Sequence, residues 1–415
     1  MNRYLFALLL LSLASPRASQ GQKTTPSPSP PPQGSMGSSM PSIPLDHLDT
    51  MQSRLDRLIA EERSLTPEPI TRAVTLAELE NTLTENRASG DVKLASILSG
   101  FSLTERADGM NLKRWNAAFP GSRTRQALQA LADGSAFLPL AADEVPAAVA
   151  PSVAEQRRII AAVGNYLSKT LPTLPNLRAT RRTTYLEDRP PRDLPLGTDP
   201  KLEDLIRNRP MHVVSESKLQ VAYVEGREVT EKRDGFESLA IETARFSTAG
   251  EFGPILYGVM MDAAQSRIVW AGWERGDGGP LAVFRFEATK EKSHFSLKPP
   301  GATAAKKEFV AYRGEIAVDP ANGSILRLSV VALPDQNDTI AAAQMAVEYG
   351  PAEIAQHFYV CPLHAVALSK VPFKGAHAPK PHEPLPLQTQ INDVEFAQYH
   401  VFRGDPRIVL QASEP

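Results

Sequence analysis

The chain has 415 residues, 42% of them hydrophobic and 22% charged, an ordinary globular composition with room for two domains. A formal net charge of −2 excludes a general basic field, so the chain as a whole is not built to bind nucleic acid. The single cysteine, Cys361, excludes an intramolecular disulfide framework, and stability must come from packing.

Asn2 and Arg3 precede an apolar run from Tyr4 to Leu11, extended by Leu13 and Ala14 and broken by Pro16. That order of regions is the order of a secretory signal, with Ser19-Gln20-Gly21 placing small residues where a signal peptidase reads. Residues 1–21 are therefore expected to be removed after Gly21, the alternative being a short anchor left uncleaved, and the rest exported, to the periplasm or as a secreted protein. The run is too short to span a bilayer, so no integral membrane protein is expected after cleavage. Residues 22–44, centred on TPSPSPPP, cannot bury a core and read as a disordered spacer.

A helical region follows over 45–172. Leu45, Leu48, Leu55, Leu58 and Ile59 make a first apolar stripe. Thr75 and Glu78 form a capping box ahead of Leu76, Leu79 and Leu83. Asp91 is expected to cap a helix carrying Leu94, Ala95 and Leu98, and Ser122 to cap one carrying Ala127, Leu128 and Leu131. Ser152 with Glu155 opens a last helix that buries Ile159, Ile160, Val163, Tyr166 and Leu167, and Pro172 and Pro175 end it.

From 176 to 410 the periodicity becomes that of strands. Leu177–Leu186, Met211–Val224, Arg267–Glu274, Leu281–Ala288, Ser293–Lys298, 310–332, Ala343–Tyr349, His357–Val360, Ala365–Ser369 and part of Ile391–Phe402 read as extended. Short connections among the later strands imply an antiparallel sheet. The clearest hairpin is Tyr312–Val331. Tyr312, Gly314, Ile316 and Val318 share a face with Leu326, Leu328 and Val330, while Arg313, Glu315, Arg327 and Ser329 point away. Asp319-Pro320-Ala321-Asn322-Gly323 makes its turn, with Gly323 at positive φ. One helix, starting at Pro254 and burying Ile255, Leu256, Val259 and Met260, is expected to cover the sheet. Lys370–Pro386, rich in Pro and His, reads as a loop.

The candidate chemistry is sparse. His357, Cys361 and His364 are the candidate metal ligands, with His377 and His382 beyond them. Their spacing matches no zinc motif, and Pro362 intervenes, so a packed cysteine and surface histidines are the better account and no metal is expected. No G-x-S-x-G elbow or Walker loop is present, and Gly276-Asp277-Gly278-Gly279 reads as a hairpin turn. Glu187 with Asp188 and Glu315 with Asp319 are adjacent carboxylates without a distinctive pattern. Arg178, Arg181 and Arg182 fit either the rim of an anion site or, in preference, a charged edge strand. Trp270 and Trp273 alternate onto opposite faces of one strand. No catalytic residue, cofactor or enzymatic activity is assigned.

The segments LTERADGMNLKRW, LADGSAFL, LPNLRATRRTTYLED, GEFGPIL, IVWAGWE, YRGEIAVDPANGSILRL, VEYG and YHVFRGDPRI resemble a group of uncharacterised exported bacterial proteins over most of the mature chain. That resemblance carries no activity. The strand-rich half also resembles, in architecture, the curved half-barrels of LolA-type lipoprotein carriers and RseB-type envelope sensors, which implies an apolar or lipid-like ligand gripped by the sheet. The resulting expectation is an α+β protein, a helical region followed by a mostly antiparallel, curved β-sheet domain with a helix packed on it. Two functions fit it: a binding module for an apolar or lipid-like ligand, or a scaffold that docks an envelope protein partner. An exported hydrolase is a third, which a cleft beside Cys361 or a histidine would favour.

Overall fold

Thr75 and Glu78 set the first helix as the capping box requires: the Thr75 Oγ1 accepts the Glu78 N–H at 3.2 Å while the Glu78 carboxylate accepts the Thr75 N–H at 2.9 Å. The structure is a computed structural model that describes residues 71–189, 209–230, 251–297, 308–334, 340–373 and 387–402. All of these belong to the compact unit Ser64–Pro415. The expected signal segment 1–21, the expected spacer 22–44 and the first expected apolar stripe lie outside the described residues, as do His377 and His382.

Four helices make a cap: α1 (Leu76–Glu85), α2 (Asp91–Leu98), α3 (Gly109–Ala118) and α4 (Ser122–Ser135). They close around Leu79, Leu83, Leu98, Trp115 and Leu128. Two short parallel strands, β1 (Arg72–Val74) and β2 (Phe101–Leu103), interrupt the stretch expected to be helical. Asp91 does not cap its own helix, nor Ser122 its own. The cap positions are Gly90 and Gly121, and the Asp91 carboxylate reaches across to accept the Arg123 and Thr124 N–H groups at 3.2 and 2.8 Å. It thus satisfies two free donors at the start of α4, and a Cβ on Gly121 would stand 2.2 Å from its Oδ1. Asp108 and Asn111 add a capping box on α3. Ser152 opens α5 (Val153–Asn165), which runs on through a π turn at Tyr166–Thr170 and a 3₁₀ turn at Leu171–Thr173.

The strands form a ten-stranded antiparallel sheet that is curved and unclosed. They are β3 (Leu177–Arg189), β4 (Arg209–Val224), β5 (Arg227–Thr230), β6 (Ile268–Gly276), β7 (Gly279–Ala288), β10 (Ala311–Val318), β11 (Ile325–Leu333), β12 (Ala342–Ile354), β13 (His357–Pro372) and β14 (Leu387–Val401). Of the expected Ser293–Lys298 strand the described residues, which end at Leu297, contain β8 (Ser296–Leu297), paired with β9 (Glu308–Phe309). The spatial order is β5-β4-β3-β14-β13-β12-β11-β10-β7-β6. One meander, β3–β5, therefore meets a second, β10–β14, along the β14–β3 seam. Bulges at Ala317/Val318, Glu348/Tyr349, Ala397/His400 and Trp270/Gly272 shift register and bend the strands.

Alternation gives the sheet two covered faces. Ala365 and Val394 face α5 and α6 (Pro254–Ala264), packed with Ile159, Val163, Leu256, Val259, Tyr312, Ile316 and Leu328. Their neighbours Val366, Leu368 and Ile391 face the cap, against Ala130, Ala136 and Phe137. A single layer of strands thus separates two helical layers.

Several side chains differ from expectation for one reason, a bulge. At Ala317/Val318 it places Ile325, not Leu326, in the α5–α6 core, and Leu326 packs with Leu281 and Val283. The bulge at Trp270/Gly272 puts both tryptophan rings on one face, 5.0 Å between centroids. At Glu348/Tyr349 a bulge accommodates Pro362, so the two short strands expected at 357–360 and 365–369 are one strand running on into Lys370–Pro372. The arginine-rich strand is no edge. β3 lies between β4 and β14, with Arg181 buried 3.5 Å from Glu251, Arg182 on Glu216 at 2.9 Å and Arg178 4.7 Å from the Phe402 ring centre. The hairpin turn is as read: Gly323 has φ +79, and its N–H donates to Asp319 O at 2.9 Å.

Candidate functional site

Where the cap crosses the sheet, three acids and a histidine converge. Asp133 lies in the last turn of α4, His364 on β13 just beyond its bulge, Asp393 on β14 and Glu348 on β12. His364 Nε2 donates to Asp393 Oδ1 at 2.8 Å and stands 3.8 Å from Asp133 Oδ1. Its Nδ1 faces Glu348 Oε2 at 3.9 Å. Asp133 is 1% exposed, with Oδ1 accepting from Gln129 Nε2 at 2.8 Å and a buried Oδ2 that has no hydrogen-bond partner.

The electrostatics follow from that crowding. Burial pushes the Asp133 carboxyl well above the usual range, and the charge of Asp393 pushes it further, against the pull of His364 and Gln129. Burial alone would lower the His364 imidazole. The Asp393 hydrogen bond and the charges of Asp133, Asp393 and Glu348 outweigh it and raise the group to about 10.

Asp133 and His364 open onto a groove of about 460 Å³ between the cap and the sheet. Its walls are mixed: Leu112, Ala132, Leu363 and Val366 are apolar, while Arg106, Glu348 and Arg327 bring charge. Glu395 and Ala397 continue it into a shallower depression of about 600 Å³ beside the paired Arg182 and Glu216.

Arg327 was expected to face solvent. The cap covers it, and it holds Glu274 through Nε–Oε1 at 3.0 Å, Nε–Oε2 at 3.2 Å and Nη2–Oε2 at 2.7 Å, while Arg106 reaches the same carboxylate at 2.7 Å. Burial would raise the Glu274 carboxyl, but the two guanidiniums hold it below its ordinary value. Glu315 completes this cluster through Arg285 at 2.7 Å and Arg327 at 3.5 Å. The adjacent carboxylates singled out in the sequence form no site: Asp188 accepts the Thr389 N–H, and Asp319 is used by its turn.

The three candidate ligands of the sequence do not meet. His357 is exposed at the start of β13, and Cys361 is buried in the α5–α6 core, where burial pushes its thiol up to about 12. His364 alone lies in a cleft, on the cap face. Its partners were missed because no motif links 133, 364 and 393. A signal did exist: Ile391, Asp393 and Glu395 alternate onto one face, and an acid following an apolar residue there marks a break in the buried pattern. A second polar cluster, Asp262 accepting the Tyr312 hydroxyl at 2.7 Å and the His294 N–H at 2.8 Å, ties α6 to the sheet.

No family model matches the sequence, and no curated protein matches it. Among solved structures, a DUF1329 family protein from Desulfovibrio piger ATCC 29098 is similar over 62% of this chain and 95% of its own, at 8% identity and a TM-score of 0.25. That likeness is too slight to carry an argument about fold or function. No helix among the described residues is long and apolar enough to cross a membrane.

Proposed function

We propose that the protein is exported to the cell envelope and binds a small amphipathic ligand in the groove between the cap and the sheet. The observation that carries this reading is the groove itself, about 460 Å³ with a mixed lining, within the size range of small-molecule sites. The apolar face of the sheet is filled by α5 and α6, so an acyl chain has no room there without moving a helix. The cap face offers Leu112, Leu363 and Val366 for an apolar body and Arg106 or His364 for a polar end. Export rests on the order of regions in residues 1–21.

Native mass spectrometry of protein isolated from the envelope without detergent tests the reading. A bound small molecule is expected in the wild type and absent from Leu363→Trp, whose ring fills the groove from a half-exposed position. A wild-type protein that is always empty, or an adduct that Leu363→Trp leaves unchanged, overturns it. N-terminal sequencing of the same material tests export, with Gln22 as the expected first residue.

A scaffold reading draws on one feature. Phe358, at the β12–β13 hairpin end, is 73% exposed, a large ring held in water. A photo-reactive phenylalanine at this position captures an envelope partner in the cell if that reading holds, and gives no specific product if it fails.

A further inference from the structure

We propose that Asp133, His364 and Asp393 form a site for one divalent transition-metal ion, with an open coordination position facing the groove. Among the described residues, these supply one ligand atom each, all within 4.8 Å of one another. Tetrahedral zinc ligands at about 2.0–2.1 Å from the ion stand roughly 3.3 Å apart, so closing the set requires side-chain movements of no more than about 1.5 Å. Two buried carboxylates side by side repel, and Asp133 Oδ2 has no donor at all. At present the proton that His364 Nε2 donates to Asp393 answers this charge; an ion bound at Nε2 would displace that proton to solvent and take its place between the two carboxylates.

The surroundings are those of a held ligand set. Gln129 Nε2 donates to Asp133 Oδ1 at 2.8 Å and fixes the carboxylate. Glu348 Oε2 lies 3.9 Å from the far nitrogen of His364, beyond hydrogen-bond distance, on the side where a carboxylate supports a metal-bound imidazole. The three ligands come from three elements, α4, β13 and β14, so their approach is set by the tertiary fold rather than by a local turn. Two carboxylates and one imidazole suit zinc, manganese or ferrous iron over a soft thiophilic ion. Asp133 and His364 line the groove, so the remaining position opens to water or to a ligand's polar end.

The test is titration of metal-stripped, tag-free full chain with zinc or cobalt alone. One equivalent is expected to bind, and Asp133→Asn or Asp393→Asn should weaken it by at least roughly 100-fold. The cobalt form is expected to show one paramagnetically shifted imidazole and to melt at a higher temperature than the metal-free protein. No binding, binding unchanged in both variants, or no shifted imidazole overturns the site. If the variants do not fold, the wild-type imidazole signal decides alone: one shifted ring supports the site, and none or several refute it. The site does not depend on an organic ligand. Metal bound by a protein that never carries a small molecule would refute the proposed function and leave the ion site standing.

Discussion

Cys361 shows how far burial alone governs a reactive side chain. It sits in the α5–α6 core with its thiol raised from 9.0 to about 12. Native protein is therefore expected to resist iodoacetamide at pH 8 and to be labelled only after denaturation, which mass spectrometry reads directly. The same shift has a signed effect on stability. Between pH 9.0 and about 12 the unfolded chain loses this proton while the folded chain keeps it. The contribution is thus complete below 9.0 and lost as pH rises towards the folded value. Denaturant curves above pH 9.0 should fall less steeply with pH for Cys361→Ala than for the wild type. The residue could be read in the sequence as a packed thiol, because a lone cysteine among Val360, Ala365 and Val366 fits a strand interior.

At the scale of elements, turn and capping chemistry were legible where partners lie within a few residues. The Thr75–Glu78 box and the Asp319–Gly323 turn both formed as their residues dictate. Asp91 was misread because its partners, Arg123 and Thr124, belong to another helix. Asp91→Ala should therefore speed amide exchange in the first turn of α4 rather than in α2. The β10–β11 turn also packs against α5. A Cβ on Gly323 would stand 2.2 Å from the Ala162 carbonyl carbon, and Arg158 donates to Pro320 O at 3.0 Å. Positive φ and a backbone clash act together, so Gly323→Ala is expected to cost at least about 2 kcal/mol by urea denaturation. A bulge is harder to foresee, since it leaves composition unchanged and reverses every face beyond it. Leu326, Trp270 and Trp273 were misplaced for that reason.

Across the whole molecule, the α+β class and the antiparallel sheet followed from periodicity, whereas the layering did not. Arg327 looked like a surface residue because the hairpin pattern says nothing of a cap arriving from far upstream, the region of Arg106. Glu274 joins these two parts: Arg106 belongs to the cap and Arg327 to β11. Glu274→Ala leaves two guanidiniums buried without their partner and should cost about 3–5 kcal/mol. Replacing Arg106, Glu274 and Arg327 together by Met, Leu and Met should restore much of that loss, as melting curves would show. Glu274 is held below its ordinary value, so its share of stability is present above that value and lost as pH falls through the folded one. The candidate site needed the same long-range knowledge, because Asp133, His364 and Asp393 meet only when the cap lies on the finished sheet.

The β14–β3 seam sets the order in which the chain can become stable. Asp188 on β3 accepts hydrogen bonds from Gln388 and Thr389 on β14, the first of them 200 residues away. Until the final strand has been made, β3 and β13 are both raw edges inviting other chains, and the two meanders have no common register. Closing so distant a pair is slow, because the entropy of the intervening loop is lost before the contacts form. A nascent chain must therefore be kept from association until β14 has been made. A truncation at residue 386 should aggregate on release, however well its cap and first meander are formed.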